Sequence, residues 1–300
     1  MASLGFVGLG MMGSRMVTRL LDAGHSVTGT NRTKSKSEDL IQQGMLWAET
    51  PREATAAADI VFSNVSGNDA LRQVNEGPNG ILAALGPGKI YIDMSTVSPD
   101  LVEDLAARVA QTGATMLDAP VSGSKLTLEM GKLTIMAGGD ERAFERVKPI
   151  LEVIGPTVIY IGPSGQAMAV KLAINISIVT QVVTFIEGVL LAETYGVPRK
   201  KAFEVMLNSA IASPALKYRG PFVVEMPDEA WFDVDMMQKD VKLALEMSGK
   251  LGVPLPTTQV ADDILKSARD MGLAEQDFAI MVRVLEQMIG NGKLAAFRCE

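Results

Sequence analysis

The apolar run Leu4–Val7 leads straight into Gly8-Leu9-Gly10-Met11-Met12-Gly13, and the helix-like segment Met12–Leu21 follows. A G-x-G-x-x-G pattern between a strand and a helix constrains this chain more than any other feature, because it opens a βαβ unit. Gly8 permits the tight turn, Gly10 lets the backbone approach a pyrophosphate, and Gly13 allows the helix to pack closely on the strand. The first amides of the helix, those of Met11, Met12 and Gly13, have no acceptor within it and face the anion. Alone the motif is weak, and a glycine-rich turn with no ligand is the alternative reading. Its seat at the head of a βαβ unit makes it specific.

The first half of the chain continues the alternation. Strand-like runs are Ser26–Thr30, Ile60–Val65, Ile90–Met94, Thr115–Leu117, Leu133–Ala137 and Val158–Ile161, with helix-like segments Asp100–Ala110 and Glu141–Val153 between them. Ser98-Pro99 supplies a capping oxygen and then a proline at the first helical position. The expected fold class is α/β, a parallel sheet with helices on both faces.

After Gly162 the pattern changes. Gln166–Tyr195 is one long apolar stretch broken only by Gly188, and Gly196 and Pro198 then stop it. Further amphipathic stretches are Lys200–Asn208, Met236–Leu251, Thr257–Met271 and Ala274–Ile289, with no strand signal. The expected division is a dinucleotide-binding domain over 1–163, an all-helical domain over 164–290 and a tail over 291–300. Ala167–Ile186 is long enough for a membrane span. It carries Lys171, Asn175, Ser177, Thr180, Gln181 and Thr184, which favours a helix buried between domains or subunits instead. A helix this apolar needs cover all round, so a homo-oligomer, dimer or tetramer, is expected.

Composition narrows the chemistry. The chain has one histidine, His25, and one cysteine, Cys299. A multi-histidine metal site and an intrachain disulfide are excluded, and no metal is expected. The acid–base group is expected to be Lys, Tyr, Asp or Glu. A net charge of −7 biases against nucleic acid and anionic membrane surfaces as partners. No basic region precedes an apolar stretch at the N-terminus, and paired cysteines are lacking, so the expected location is cytoplasmic.

The second strand-like run ends near Thr30. A carboxylate about twenty residues past the glycine motif usually holds a ribose that lacks a 2′-phosphate. Here the sequence reads Asn31-Arg32-Thr33, with Lys34 and Lys36 close by. Arg32 can grip a phosphate as a charge-assisted pair, which favours NADP (NADPH) over NAD; a solvated loop charge is the alternative.

Four segments in order resemble the β-hydroxyacid dehydrogenase family: Gly5-Phe6-Val7 with the glycine motif, Asp118-Ala119-Pro120-Val121-Ser122-Gly123, Gly165 through Lys171 to Asn175, and Lys239-Asp240. The resemblance covers nearly the whole chain. It implies a Rossmann domain joined by a long helix to an all-helical domain. It also implies catalytic roles for Lys171 and its companion Asn175, and substrate binding by Ser122 and Gly123. Thr96 would lie near both substrate and nicotinamide, Phe232 and Asp240 would complete the pocket from the second domain, and Lys239 would stand near the cofactor. Ser122-Gly123-Ser124 followed by Lys125, in place of the common Ser-Gly-Gly, is similar to the glyoxylate and succinic semialdehyde reductase branch. Ala167 and Ile174 also depart from the usual Gly and Asn.

Reduction of a carbonyl needs a hydride on carbon and a proton on oxygen, so the protein must bind, orient and protonate. Lys171 is the expected proton donor, with a pKa lowered by desolvation and nearby positive charge. It is the only charged residue between Gly165 and Phe185. Asn175 lies four residues on, hence on the same helix face. Spacing alone fits equally a snorkelling lysine and a satisfied core asparagine. Lys125 has two readings, attraction for an anionic substrate or plain solvation, and Asp240 could instead pair with Lys239 or Lys242 on the surface. The expected activity is NADP-dependent interconversion of a small carboxylated aldehyde or keto acid and its hydroxy acid. Rivals are a 3-hydroxyisobutyrate-type dehydrogenase working oxidatively, an imine reductase and a non-catalytic NADPH-binding sensor.

Overall fold

The computed structural model describes residues 2–290, apart from the side chains of Lys125 and Leu126. The tail expected over 291–300, Cys299 included, lies outside the described residues, as does the Lys125 side chain. The chain divides into two compact units, one ending at Leu172 and the other beginning at Ala173.

The first unit is built on strands β1 (Ser3–Val7), β2 (Ser26–Thr30), β3 (Leu46–Trp47), β4 (Ile60–Ser63), β5 (Ile90–Asp93), β6 (Thr115–Asp118), β7 (Val121–Ser122), β8 (Thr134–Gly139) and β9 (Thr157–Gly162). They form one sheet of order β3-β2-β1-β4-β5-β6-β8-β7, with β9 paired to β8. From β3 to β6 every pairing is parallel. The expectation of a parallel sheet needs one correction: β8 runs antiparallel to β6 and β7. The physical reason is the connection. Only residues 123–133, carrying the short helix Lys125–Glu129, lie between β7 and β8, too short for a parallel crossover.

The central strands read as unbroken apolar runs because both faces are covered. Phe6, Phe62, Ile92 and Leu117 point into one core, with Met16, Leu20, Phe144 and Val147 from the flanking helices. Their alternates Val7, Val61, Tyr91 and Met116 point into the other, against Leu101, Val102 and Leu105. Phe6 and Phe62 stack at 5.7 Å between ring centroids. The helix Pro99–Gln111 starts as its sequence requires, with the Ser98 side chain accepting from the Leu101 amide.

The long helix spans Gln166–Thr194. Contacts divide the chain within it, not at 163/164 where the strand pattern stops. Its first turn packs on the sheet unit, and Met168 is fully buried in the second of the two cores.

The second unit is helical: Arg199–Leu207, Pro214–Arg219, Val234–Leu251, Pro256–Asp270 and Met281–Gly290. Its core gathers Val182, Phe185, Val189, Val241, Ile264, Phe278 and Val284. Pro214–Arg219 is too short to show an amphipathic period, which is why the sequence did not disclose it. The stretch expected as one helix over Ala274–Ile289 is instead a 3-10 turn at Phe278–Ile280 followed by the helix from Met281. The Asp277 side chain accepts from the Ala279 amide there, and Asp277 also bridges to Asp233.

Candidate active site

The strand order reverses between β1 and β4, and ligands of such sheets bind outside the carboxyl ends at that point. The glycine motif stands there. Gly8 has φ +95, and a side chain on it would strike the Asn64 carbonyl. A methyl on Gly13 would strike the Gly8 carbonyl, so the helix can sit this close only on glycine. Gly10 has open space on its Cβ side, which is where an approaching pyrophosphate needs it. The helix Met11–Asp22 has no acidic residue in its first turn and no side-chain cap, so its start suits an anion. These features fit a bound dinucleotide.

At the end of β2, Arg32 and Thr33 are exposed. Asn31 turns inward: its Oδ1 accepts from the Leu9 amide at 3.3 Å, tying the glycine loop to β2. No carboxylate near this position was visible in the local sequence. The structure brings one, because β3 places Glu49 3.1 Å from the Lys34 ammonium. Lys34 also lies over the Trp47 ring at 5.3 Å. Its hydrogen bond holds the exposed Glu49 carboxyl below its ordinary value.

The ends of β4 and β5 are cross-linked beneath the next segment. Asp93 is fully buried, and its Oδ1 accepts from the hydroxyls of Ser63 at 2.6 Å and Ser95 at 2.7 Å. Burial raises its carboxyl to about 6, against the downward pull of both serines; the Asp118 charge adds to the rise. Ser95 in turn accepts from the Val65 amide at 2.9 Å. Half-buried Thr96 follows directly on this braced residue.

Beyond β6 the chain runs through Ala119-Pro120 to Ser122 and Gly123. Ser122 lies in β7, registered on Thr134 of β8. Gly123 has φ +145, and its Cα packs against Thr127 and Leu133. Thr127 Oγ1 accepts from the Ser124 amide at 2.6 Å and closes the loop.

Lys171 stands in the second turn of the long helix and is 9% exposed. The helix start is held by Asp118, buried at the end of β6: its Oδ1 accepts from the Gly165 amide at 3.1 Å and its Oδ2 from Met168 at 3.2 Å. Thus Gly8–Gly13, Thr96, Ser122, Gly123 and Lys171 all belong to the first unit. The glycine loop follows the carboxyl end of β1, Thr96 that of β5 and Ser122 that of β6, whose last residue, Asp118, also anchors the Lys171 helix.

The remaining expected residues belong to the second unit. Asn175 is 4% exposed, and its Nδ2 donates to Asp240 Oδ2 at 2.5 Å. The pairing with Lys239 considered for Asp240 is present, but its carboxylate is buried, 1% exposed, not on the surface. Lys239 Nζ lies 2.8 Å from Asp240 Oδ1, an ion pair. Phe232 is tied to a different cluster. Its amide donates to Asp277 Oδ2 at 3.2 Å and its ring meets Phe278 edge-on at 6.4 Å. Asp277 is buried and also takes both contacts of Arg219 Nη1. Sequence reading missed Asp93, Asp277 and Arg219. Asp118 stood in a quoted motif, but only as a marker of resemblance.

Residues 3–162 match the family described as the NAD binding domain of 6-phosphogluconate dehydrogenase. Residues 165–285 match that described as NAD-binding of NADP-dependent 3-hydroxyisobutyrate dehydrogenase. Glyoxylate/succinic semialdehyde reductase 2, chloroplastic, of Arabidopsis thaliana is 34% identical across 95% of this chain and 79% of its own length. The 2-hydroxy-3-oxopropionate reductase of Escherichia coli is 33% identical across 97% of this chain and 99% of its own. A solved 3-hydroxyisobutyrate dehydrogenase of Mycobacterium tuberculosis, with L-serine, superposes with TM-score 0.83 and 29% identity, covering 95% of this chain and 99% of that one.

Proposed function

Since the chain belongs to the β-hydroxyacid dehydrogenase family, a group of nicotinamide-dependent oxidoreductases acting on CH–OH donors, we propose that it is an NADPH-dependent reductase of short carboxylated aldehydes such as succinic semialdehyde or glyoxylate. The observation that carries this reading is the burial of Lys171 on a helix whose start is held at the carboxyl end of the dinucleotide sheet. A buried ammonium is costly unless something pairs with it or uses it.

The nicotinamide, when bound, supplies the hydride. Gly8, Gly10 and Gly13 seat the pyrophosphate, with the amides of Met11 and Met12 toward it, and Thr33 and Arg32 face the 2′-phosphate side. Lys171 Nζ holds the proton that passes to the carbonyl oxygen in reduction and takes it back in oxidation. The Ser122 hydroxyl and Gly123 amide bind the substrate carboxylate, and Thr96 orients the carbonyl. Asn175, whose Nδ2 donates to Asp240, is the proposed companion of Lys171 in catalysis. Phe232 is the residue proposed to contact substrate, and Lys239 the cofactor. The match over residues 165–285 favours a second reading, oxidation of a 3-hydroxyisobutyrate-type acid on the same residues. The protein is further proposed to be a cytoplasmic homo-oligomer, a dimer or tetramer, with no nucleic-acid or membrane partner.

The test follows absorbance of NADPH and NADH with succinic semialdehyde, glyoxylate and 2-hydroxy-3-oxopropionate, and of the oxidised cofactors with the matching hydroxy acids and 3-hydroxyisobutyrate. Turnover of a short aldehyde with NADPH is the expected result. Tight NADPH binding without turnover across the panel would replace the enzyme by a sensor.

A further inference from the structure

Most capped helices in this chain start on a residue of their own: Thr50, Ser98, Asp140, Ser213 and Asp233 each accept from an amide three positions on. The long helix is different. Its first amides are taken by Asp118, 47 and 50 residues earlier in the chain. We propose that Asp118 is a positioning residue for Lys171, pinning the first turn of the long helix to the end of β6 and so fixing where the Lys171 ammonium stands relative to Ser122. This rests on the reading of Lys171 as the acid–base group.

Three observations carry it. Asp118 is fully buried, and both its oxygens are used, one on Gly165 and one on Met168. Lys171 follows Met168 by three residues, less than one turn, so a displacement of the first turn passes to the ammonium almost undamped. Asp118 is also the residue from which the chain departs through Ala119-Pro120-Val121 to Ser122, so one side chain is the common origin of the proton donor and of the carboxylate site. The same helical turn is braced from a second side, because the Met168 sulfur accepts from the Val97 amide at 3.5 Å, next to Thr96.

A carboxylate suits this post. Two amide donors need two acceptor oxygens; burial pushes the Asp118 carboxyl above its ordinary value, and the hydrogen bonds from Gly165 and Met168 pull it back toward the ionised form. Asparagine offers one oxygen and turns an N–H toward the other donor. There is little slack for relocation: Gly138 packs its Cα against Oδ1, where a methyl would come within 2.7 Å. Gly165 itself has φ +88, with Glu103 3.2 Å from where its methyl would be.

The experiment is a double-mutant cycle on the full chain with NADPH and the best aldehyde of the panel. Asp118→Asn is expected to lower kcat at least tenfold while the KM for NADPH changes less than twofold. Lys171→Ala lowers kcat by roughly 10²–10⁴-fold. In the Lys171→Ala background, Asp118→Asn is expected to have no further effect beyond twofold, because a residue acting through Lys171 has nothing left to position. Losses that multiply would overturn the proposal and leave Asp118 as a structural cap. A mild loss from Lys171→Ala alone would instead remove the acid–base reading on which the proposal rests. If Asp118→Asn does not fold, Gly165→Ala strains the same anchor from the backbone side, and its kcat loss must likewise vanish on Lys171→Ala; a multiplicative loss there counts against the proposal equally.

Discussion

Lys171 and Arg32 show how differently single residues are decided. Arg32 is exposed at the end of β2, and its proposed partner is a phosphate. Charge-assisted hydrogen bonds contribute about 1.5–3 kcal/mol, so Arg32→Ala is expected to raise the KM for NADPH roughly 10–100-fold and to leave that for NADH within about threefold. Equal weakening of both cofactors in steady-state kinetics would refute phosphate recognition. Lys171 was legible because a lone charge in an apolar run is conspicuous. The partners of Asn175 and Asp240 were not legible: 65 residues separate them, and spacing on one helix says nothing of what another helix presents. Glu49 is a similar case, since only the pairing of β3 with β2 brings it to Lys34.

At the scale of elements, the strand ends do the assembling. Ser63 of β4, Asp93 of β5 and Ser95 just beyond it are joined through one buried carboxylate. A carboxyl held above its ordinary value keeps its proton longer in the folded chain than in the unfolded one. Its contribution to stability is therefore largest below pH ~4, falls as pH rises to about 6, and is level above that. The fall is roughly 3 kcal/mol for a shift of this size. Asp93→Asn cannot ionise and keeps one acceptor oxygen for the two serines. Urea unfolding from pH 4 to 7.5 is expected to show the variant gaining on the wild type up to about pH 6 and running parallel thereafter. A difference independent of pH would mean that Asp93 does not titrate in this range. The strands themselves were legible within a residue or two, because their apolar runs are bounded by polar and glycine residues. The two-residue strands β3 and β7 were not, since so short a segment has no period and exists only through its neighbour.

For the whole molecule, the long helix carries the unresolved surface. By length and composition it could cross a membrane, but Val182, Val183, Phe185, Ile186 and Val189 are buried in the helical core of the second unit. Among the described residues the expected cover all round is not supplied: Leu191, Tyr195 and Val205 at its far end and on the next helix are 76, 91 and 69% exposed. Sedimentation of the purified protein is expected to give a dimer or larger species, and a monomer at micromolar concentration would rule out the homo-oligomer. What the amino-acid order determined unaided is local in origin: the glycine turn, the strand–helix alternation, the change to helices after Gly162 and the isolated lysine. Each rests on residues a few positions apart, where backbone sterics and hydrophobic period act directly. What only tertiary structure decided is every contact closed over long chain distances, among them Asp118 on Gly165 and Met168, Asn175 on Asp240, and Arg219 on Asp277. Such pairs form because burial leaves polar groups no water to bond to, and which groups meet is settled by the packing that buries them.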